Sequence, residues 1–189
     1  MRELERLAAV VGIADDLEVS LDRGLGRAGV AISPAPPRGV LALYPTTIRS
    51  NFGVLRRWGG WRSIVPPSFE EFSYGFLNNI APTERRAIFD AHAVPETGRI
   101  FFQAAFALLG RAGATRVNFH NAARPPLLIT AGTNDHNVAP AMVRANFRKY
   151  ARSSARTDYH EFSGRSHWVI AESGWEEVAS YIRSWLSAV

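Results

Sequence analysis

The chain has 189 residues, 47% hydrophobic and 21% charged, which suits one globular domain with a core of its own. Cysteine is absent, so disulfides and thiolate chemistry are excluded. The net charge is +5, carried by scattered arginines with Lys149 the only lysine; no nucleic-acid-binding module accompanies them, and no nucleic-acid partner is expected.

A charge of this sign still helps to attract anionic substrates. The five histidines (92, 120, 136, 160 and 167) show no metal-ligand spacing, so neither a metal nor another cofactor is expected. No window approaches the ~20 consecutive apolar residues a membrane span requires, and no membrane partner is expected. The start, Met1-Arg-Glu-Leu-Glu-Arg-Leu, carries both charges and no apolar h-region, which points to the cytoplasm.

In chain order, Leu4, Leu7, Ala8 and Val11 recur at helical spacing and predict a short amphipathic helix over residues 2–11. Residues 12–27 are acidic, then glycine-bearing, and no element is assigned to them. Ala28 to Ser33 is small and β-branched and predicts a strand, stopped by Pro34-Ala-Pro-Pro37. Residues 45–123 are dense in aromatics, from Phe52, Trp58 and Trp61 to Phe101, Phe102 and Phe106, and read as a helical insertion. Within it Ser68 is an N-cap ahead of Glu70 and Glu71, Thr83 opens another helix, and Glu96 to Leu109 forms a third, ended by Gly110 and Gly113.

Leu127 to Ala131 is apolar without alternation, as in a strand buried on both faces of a parallel sheet. Gly132, Asn134, Asp135, Asn137 and Pro140 then crowd into a turn. Ala141 to Arg152 is a helix with Met142, Val143, Phe147 and Tyr150 facing inward. Thr157 to Phe162 is a strand, and Ser163 to Ser166 is a loop that ends at His167. Gly174 to Leu186 is a closing helix whose inward positions are Val178, Ile182, Trp185 and Trp175.

Asp135 thus follows one strand and His167 the next. Their separation leaves room for one helix, one strand and a loop, so both side chains can reach one edge of the sheet, where open α/β sheets keep their ligands. The order suits a hydrolase triad, in which a carboxylate orients an imidazole that takes a proton from a nucleophile. Taken singly, each residue has a plainer role. Asp135 could bond its own turn, and His167 could be a loop residue packed by Trp168. His136 is too close along the chain to bond Asp135 well, and His160 lies within a strand.

Three segments carry a family likeness: Ala28-Gly-Val-Ala-Ile-Ser-Pro-Ala-Pro36, Pro126-Leu-Leu-Ile-Thr-Ala-Gly-Thr-Asn-Asp135 and Gly164-Arg-Ser-His-Trp168. From about Leu25 onward the chain resembles the C-terminal part of an α/β-hydrolase-fold protein. The resemblance implies the sixth, seventh and eighth strands of that fold, with a helical cap inserted after the sixth. It implies Asp135 as triad acid, His167 as triad base and a small apolar or acyl substrate under the cap. The expected fold class is therefore α/β, a partial hydrolase fold in one domain. Its core is residues 24–44 and 124–189, its cap is 45–123, and 1–23 is unassigned.

The family's nucleophile elbow, Gly-x-Ser-x-Gly, does not occur in the sequence, and neither Ser20 nor Ser33 has the flanking glycines. The first five strands cannot fit before residue 28. The chain reads as a hydrolase of the serine type without its first half, or as an inactive remnant or binding module. A third reading keeps the family and takes an aspartate nucleophile at the elbow, as in haloalkane dehalogenases and epoxide hydrolases. In each case the outer edge of the first strand is left open and invites self-association.

Overall fold

The computed structural model describes residues 15–105 and 116–189. The helix expected over 2–11 and the Gly110 and Gly113 stop lie outside these. The described elements are α1 (Asp15–Asp22), β1 (Gly29–Ile32), α2 (Pro45–Ser50), α3 (Phe52–Leu55), β2 (Ile64–Val65), α4 (Phe69–Gly75), α5 (Pro82–His92), β3 (Glu96–Thr97), α6 (Gly98–Ala105), β4 (Leu127–Gly132), α7 (Pro140–Lys149), β5 (Thr157–Phe162) and α8 (Trp175–Ser187). Short 3-10 turns sit at Gly60–Arg62 and Tyr150–Arg152.

The sheet is parallel, in the order β1-β4-β5, with Gly29 opposite Leu127 and Leu127 opposite Thr157. Helices cover both faces, and this explains why the middle strand is apolar throughout. Ala31, Leu127, Ile129 and Ala131 face α1 and α7, where Leu17, Leu21, Met142, Val143 and Tyr150 meet them. Val30 and Leu128 point the other way, onto Trp185, Tyr181 and Ile182 of α8. All six residues of β4 are buried. Each fully buried aliphatic side chain there contributes about 1.5–3 kcal/mol.

α1 gives form to a stretch that local pattern left unassigned. It is held by what it touches: a side chain at Gly29 would stand 2.4 Å from Leu21 Cδ1, so the absent side chain lets α1 lie directly on β1. Two expectations are corrected. The helix expected from Glu96 starts at Gly98, because Glu96 and Thr97 first pair antiparallel with Val65 and Ile64. Trp175, expected to face inward, is 46% exposed. Val178 packs on Phe162, the last residue of β5, so one turn earlier no strand lies beneath the helix.

The block between β1 and β4 is built from short helices. Ser68 caps α4 as expected, its hydroxyl accepting from Glu71 N at 3.1 Å. Phe72 stacks on Phe76 at 4.7 Å and meets Phe89 edge to face at 5.5 Å, so these rings form a small aromatic core of their own.

Candidate active site

Parallel strands deliver their following loops to one rim. The loop after β4 carries Asp135 and the loop after β5 carries His167. Thr133 N donates to Phe162 O at 3.0 Å, Asn134 N to Arg165 O at 2.9 Å and Gly164 N to Thr133 Oγ1 at 2.7 Å, so the two loops are laced together. Gly132 permits this, since a Cβ there would stand 2.3 Å from Arg165 O. The histidine loop crosses directly over the end of β4, and only glycine leaves room for it.

Asp135 is 2% exposed, and its two oxygens have different tasks. Oδ1 accepts from Asn137 N at 2.9 Å and Val138 N at 2.7 Å, the turn-forming role that aspartate often plays. Oδ2 stands 2.8 Å from His167 Nδ1. The plainer role and the chemical one are thus met by one side chain. An ionised carboxylate only accepts, so the imidazole hydrogen sits on Nδ1 and the Nε2 lone pair is left over. Among the described residues Nε2 has no hydrogen-bond partner. His167 keeps 19% of its side chain exposed, and the Phe76 ring stands edge-on to it at 4.7 Å.

The loop around His167 is anchored on either side. Glu172, itself buried, accepts from Ser166 Oγ at 2.6 Å and from Ser166 N at 3.2 Å. Arg165 reaches Gly174 O at 2.8 Å and Glu177 at 2.9 Å, fixing the loop to the start of α8. The helical block clamps the same loops: Asn78 Nδ2 donates to Asn134 O at 2.9 Å and Asn79 Nδ2 to Gly164 O at 2.6 Å. Asn137 Oδ1 accepts from Ser50 Oγ and Asn51 Nδ2, both at 3.0 Å, which ties α2 to the Asp135 turn.

The structure brings together Asp135 and His167, the two residues expected from the sequence, and surrounds them with Glu172, Asn78, Asn79 and Asn137, to which the sequence assigned no part in the site. Nothing in their neighbours along the chain marks them, because their partners lie up to 93 residues away. The other histidines go elsewhere. His136 Nδ1 is 3.1 Å from Tyr74 O, His160 stacks on Tyr181 at 3.9 Å, and His92 lies against Trp168 at 5.3 Å.

Ser33 follows β1 toward the same rim. Its φ is 45°, the one positive value for a non-glycine residue among those described, and its buried hydroxyl has no partner. It does not bond His167. A cleft of about 440 Å³ between α2 and α4 is lined by Ile48, Arg49, Phe52, Glu71 and Tyr74 among others, and by neither Asp135 nor His167. Among the described residues no three His, Asp or Glu side chains gather as metal ligands.

No family model and no curated protein matches the sequence. Solved structures do. A monoacylglycerol lipase from Paleococcus ferrophilus is similar at a TM-score of 0.55 and 18% identity, over 91% of this chain and 63% of that one. Rv0554 from Mycobacterium tuberculosis is similar at a TM-score of 0.62 and 16% identity, over 93% of this chain and 62% of that one. The 2-hydroxy-6-oxo-6-phenylhexa-2,4-dienoate hydrolase from Rhodococcus sp. strain RHA1 gives a TM-score of 0.54 at 13% identity, over 93% and 61%. The chain spans about three fifths of the length of each. An α/β-hydrolase fold protein from Chitinophaga pinensis is similar as well, at a TM-score of 0.51 and 12% identity, over 92% of this chain and 61% of that one. Likeness at such identities speaks for fold alone, and on that ground the three parallel strands with their flanking helices are part of an α/β-hydrolase fold.

Proposed function

We propose that Asp135 and His167 are the acid and base of a serine-hydrolase triad acting on an ester or related acyl substrate, and that the nucleophile comes from residues outside this sequence. The observation that carries the reading is the 2.8 Å contact between Asp135 Oδ2 and His167 Nδ1, with Nε2 left unpaired among the described residues. In the proposed reaction Nε2 removes the proton from the attacking hydroxyl as it adds to the acyl carbon. The imidazolium then returns that proton to the leaving alcohol, and Asp135 stabilises the positive ring throughout. The described residues between 45 and 123 are the cap over this site, with Phe76 beside the imidazole as part of an apolar wall. The lipase and the dienoate hydrolase that share the fold support this class of chemistry.

The second reading is a binding module without turnover. Its support is Ser33, a serine at the same rim that is buried and not joined to His167. Hydrolysis of p-nitrophenyl acetate separates the two. Under the first reading the chain joined to a segment that carries a Gly-x-Ser-x-Gly serine shows turnover that falls at least tenfold in His167→Ala and is indifferent to Ser33→Ala. Equal rates in that joined form and in its His167→Ala variant sink it. The coding sequence ahead of Met1 offers a second check, since a Gly-x-Ser-x-Gly motif in frame there supplies the missing group.

Among the described residues no strand pairs with the outer edge of β1. We propose that this edge takes up another strand, from a second copy or from a separate segment. A monomeric elution peak with a single cooperative melt counts against it.

A further inference from the structure

The tip of the helical block, residues 52–64, takes no part in the hydrogen bonds around Asp135 and His167. Trp58 is 94% exposed, Ile64 71%, Phe52 54% and Trp61 40%. Single exposed apolar residues are common, but four within a stretch of thirteen residues, two of them tryptophan, are not. Trp58 and Trp61 meet edge to face at 6.0 Å, and Trp61 meets Phe102 of α6 at 5.6 Å, so the rings make one continuous platform.

The platform is braced. Gly59 takes the left-handed turn at φ 76°, and Gly60 lies so close beneath α6 that a Cβ on Gly98 would stand 2.1 Å from Gly60 O. Gly98 N donates to Ser63 O at 2.9 Å, and the β2–β3 pair closes the base. The exposed rings are therefore held in place before any partner arrives, which lowers the ordering cost of docking.

The rim is basic. Arg56, Arg57, Arg62 and Arg99 are exposed, and none forms an ion pair among the described residues. From Arg23 to Phe69 the sequence contains seven arginines and no aspartate or glutamate. Of the carboxylates on elements touching the tip, Glu71 accepts from Gly53 N and from Ser68 Oγ, Glu96 accepts from Thr97 N, and Glu70 of α4 is exposed.

We propose that this tip is a peripheral docking surface for an anionic lipid bilayer. Trp58, Trp61 and Ile64 enter the headgroup boundary, where tryptophan prefers to sit, and the arginines meet the lipid phosphates. The sequence holds no span, and on that ground no membrane partner is expected; among the described residues no helix is long and apolar enough to cross a bilayer. A surface that lies on the bilayer needs no span. The inference uses neither Asp135 nor His167, so it stands whether or not the hydrolase reading does.

The test is co-sedimentation of the full chain with vesicles of phosphatidylcholine, with and without phosphatidylglycerol, read together with tryptophan emission. Binding to the anionic vesicles only, with a blue shift and release by salt, is expected. Trp58→Ala with Trp61→Ala abolishes the blue shift, and each of Arg56→Gln and Arg57→Gln weakens partitioning about fivefold. Unchanged far-UV circular dichroism in these variants shows that the fold is intact. No binding to anionic vesicles overturns the proposal. So does binding that all four substitutions leave alone, preferential capture of single-stranded DNA, or a dimer that Trp58→Ala dissolves.

Discussion

Among the described residues, two buried polar clusters stand at opposite ends of one parallel sheet. At the C-terminal rim Asp135 bonds His167. At the N-terminal rim Glu18 of α1, 1% exposed, accepts from Asn146 Nδ2 at 2.6 Å and from Tyr150 O–H at 2.5 Å. Arg124 lies over the Tyr150 ring at 4.7 Å and ties down Pro125 O and Arg156 O. The second cluster is the more buried. Burial lifts the Glu18 carboxyl from 4.5 to about 7 against the opposing hydrogen bonds, and burial with Glu18 pushes the Tyr150 phenol up. Its unpaired atoms, Asn146 Oδ1 and Arg124 Nε, are buried. It fastens α1 to α7, whereas the first leaves one imidazole nitrogen unpaired among the described residues, on a side chain that is 19% exposed. Perturbation marks the structural cluster here, and an unspent group at the rim marks the candidate for chemistry.

The largest effect that sharpens this contrast is on turnover. In any form of the protein that hydrolyses esters, His167→Ala lowers kcat by on the order of 10³ or more, while its melting point moves little. Glu18→Gln leaves that rate alone. If Glu18→Gln abolishes turnover as well, the two clusters are not functionally distinct.

The next effect is on stability against pH. A carboxyl whose folded value is raised favours the neutral form in the folded state. Its contribution is whole below pH 4.5 and is lost as pH climbs through about 7. The loss is on the order of 3 kcal/mol between those limits, from about 1.4 kcal/mol per pH unit. Urea melts across this range are expected to weaken with rising pH in the native chain and to flatten in Glu18→Gln. A parallel decline in the variant assigns the dependence to other groups.

Smaller still is Glu172→Ala, which strips the acceptor from both Ser166 N and Ser166 Oγ and costs about 2 kcal/mol. Loss of the Asp135–His167 contact is expected with it, seen as a lower kcat at unchanged KM. The smallest is Ser68→Ala, which removes the α4 cap at a cost of about 1 kcal/mol in thermal or urea melts. It touches neither cluster, so a change in turnover there would link the helical block to the rim more tightly than the contacts suggest.

What could be read from local pattern is visible in particular residues. Leu127 to Ala131 lacks alternation because both faces of β4 are covered, and the strand was legible for that reason. Ser68 was legible as a cap because its partner, Glu71, is three residues away. Trp175 was misread because helical spacing gives a stripe but not where the sheet beneath it ends. α1 was not legible at all, since eight residues with a weak apolar stripe are helical only once Leu17 and Leu21 are packed on the sheet.

By itself the amino-acid order determined the three strands of the parallel sheet, the punctuation between them, and the arrival of an aspartate and a histidine after successive strands. Periodicity, proline and glycine act within a few residues, so those features are written locally. The tertiary structure alone decided that Asp135 Oδ2 meets His167 Nδ1, that Glu172 holds the histidine loop, that Glu18 joins Asn146 and Tyr150, and that Trp58 stands in the open. Each of these depends on segments brought together across the fold, where contact is set by packing and not by spacing along the chain.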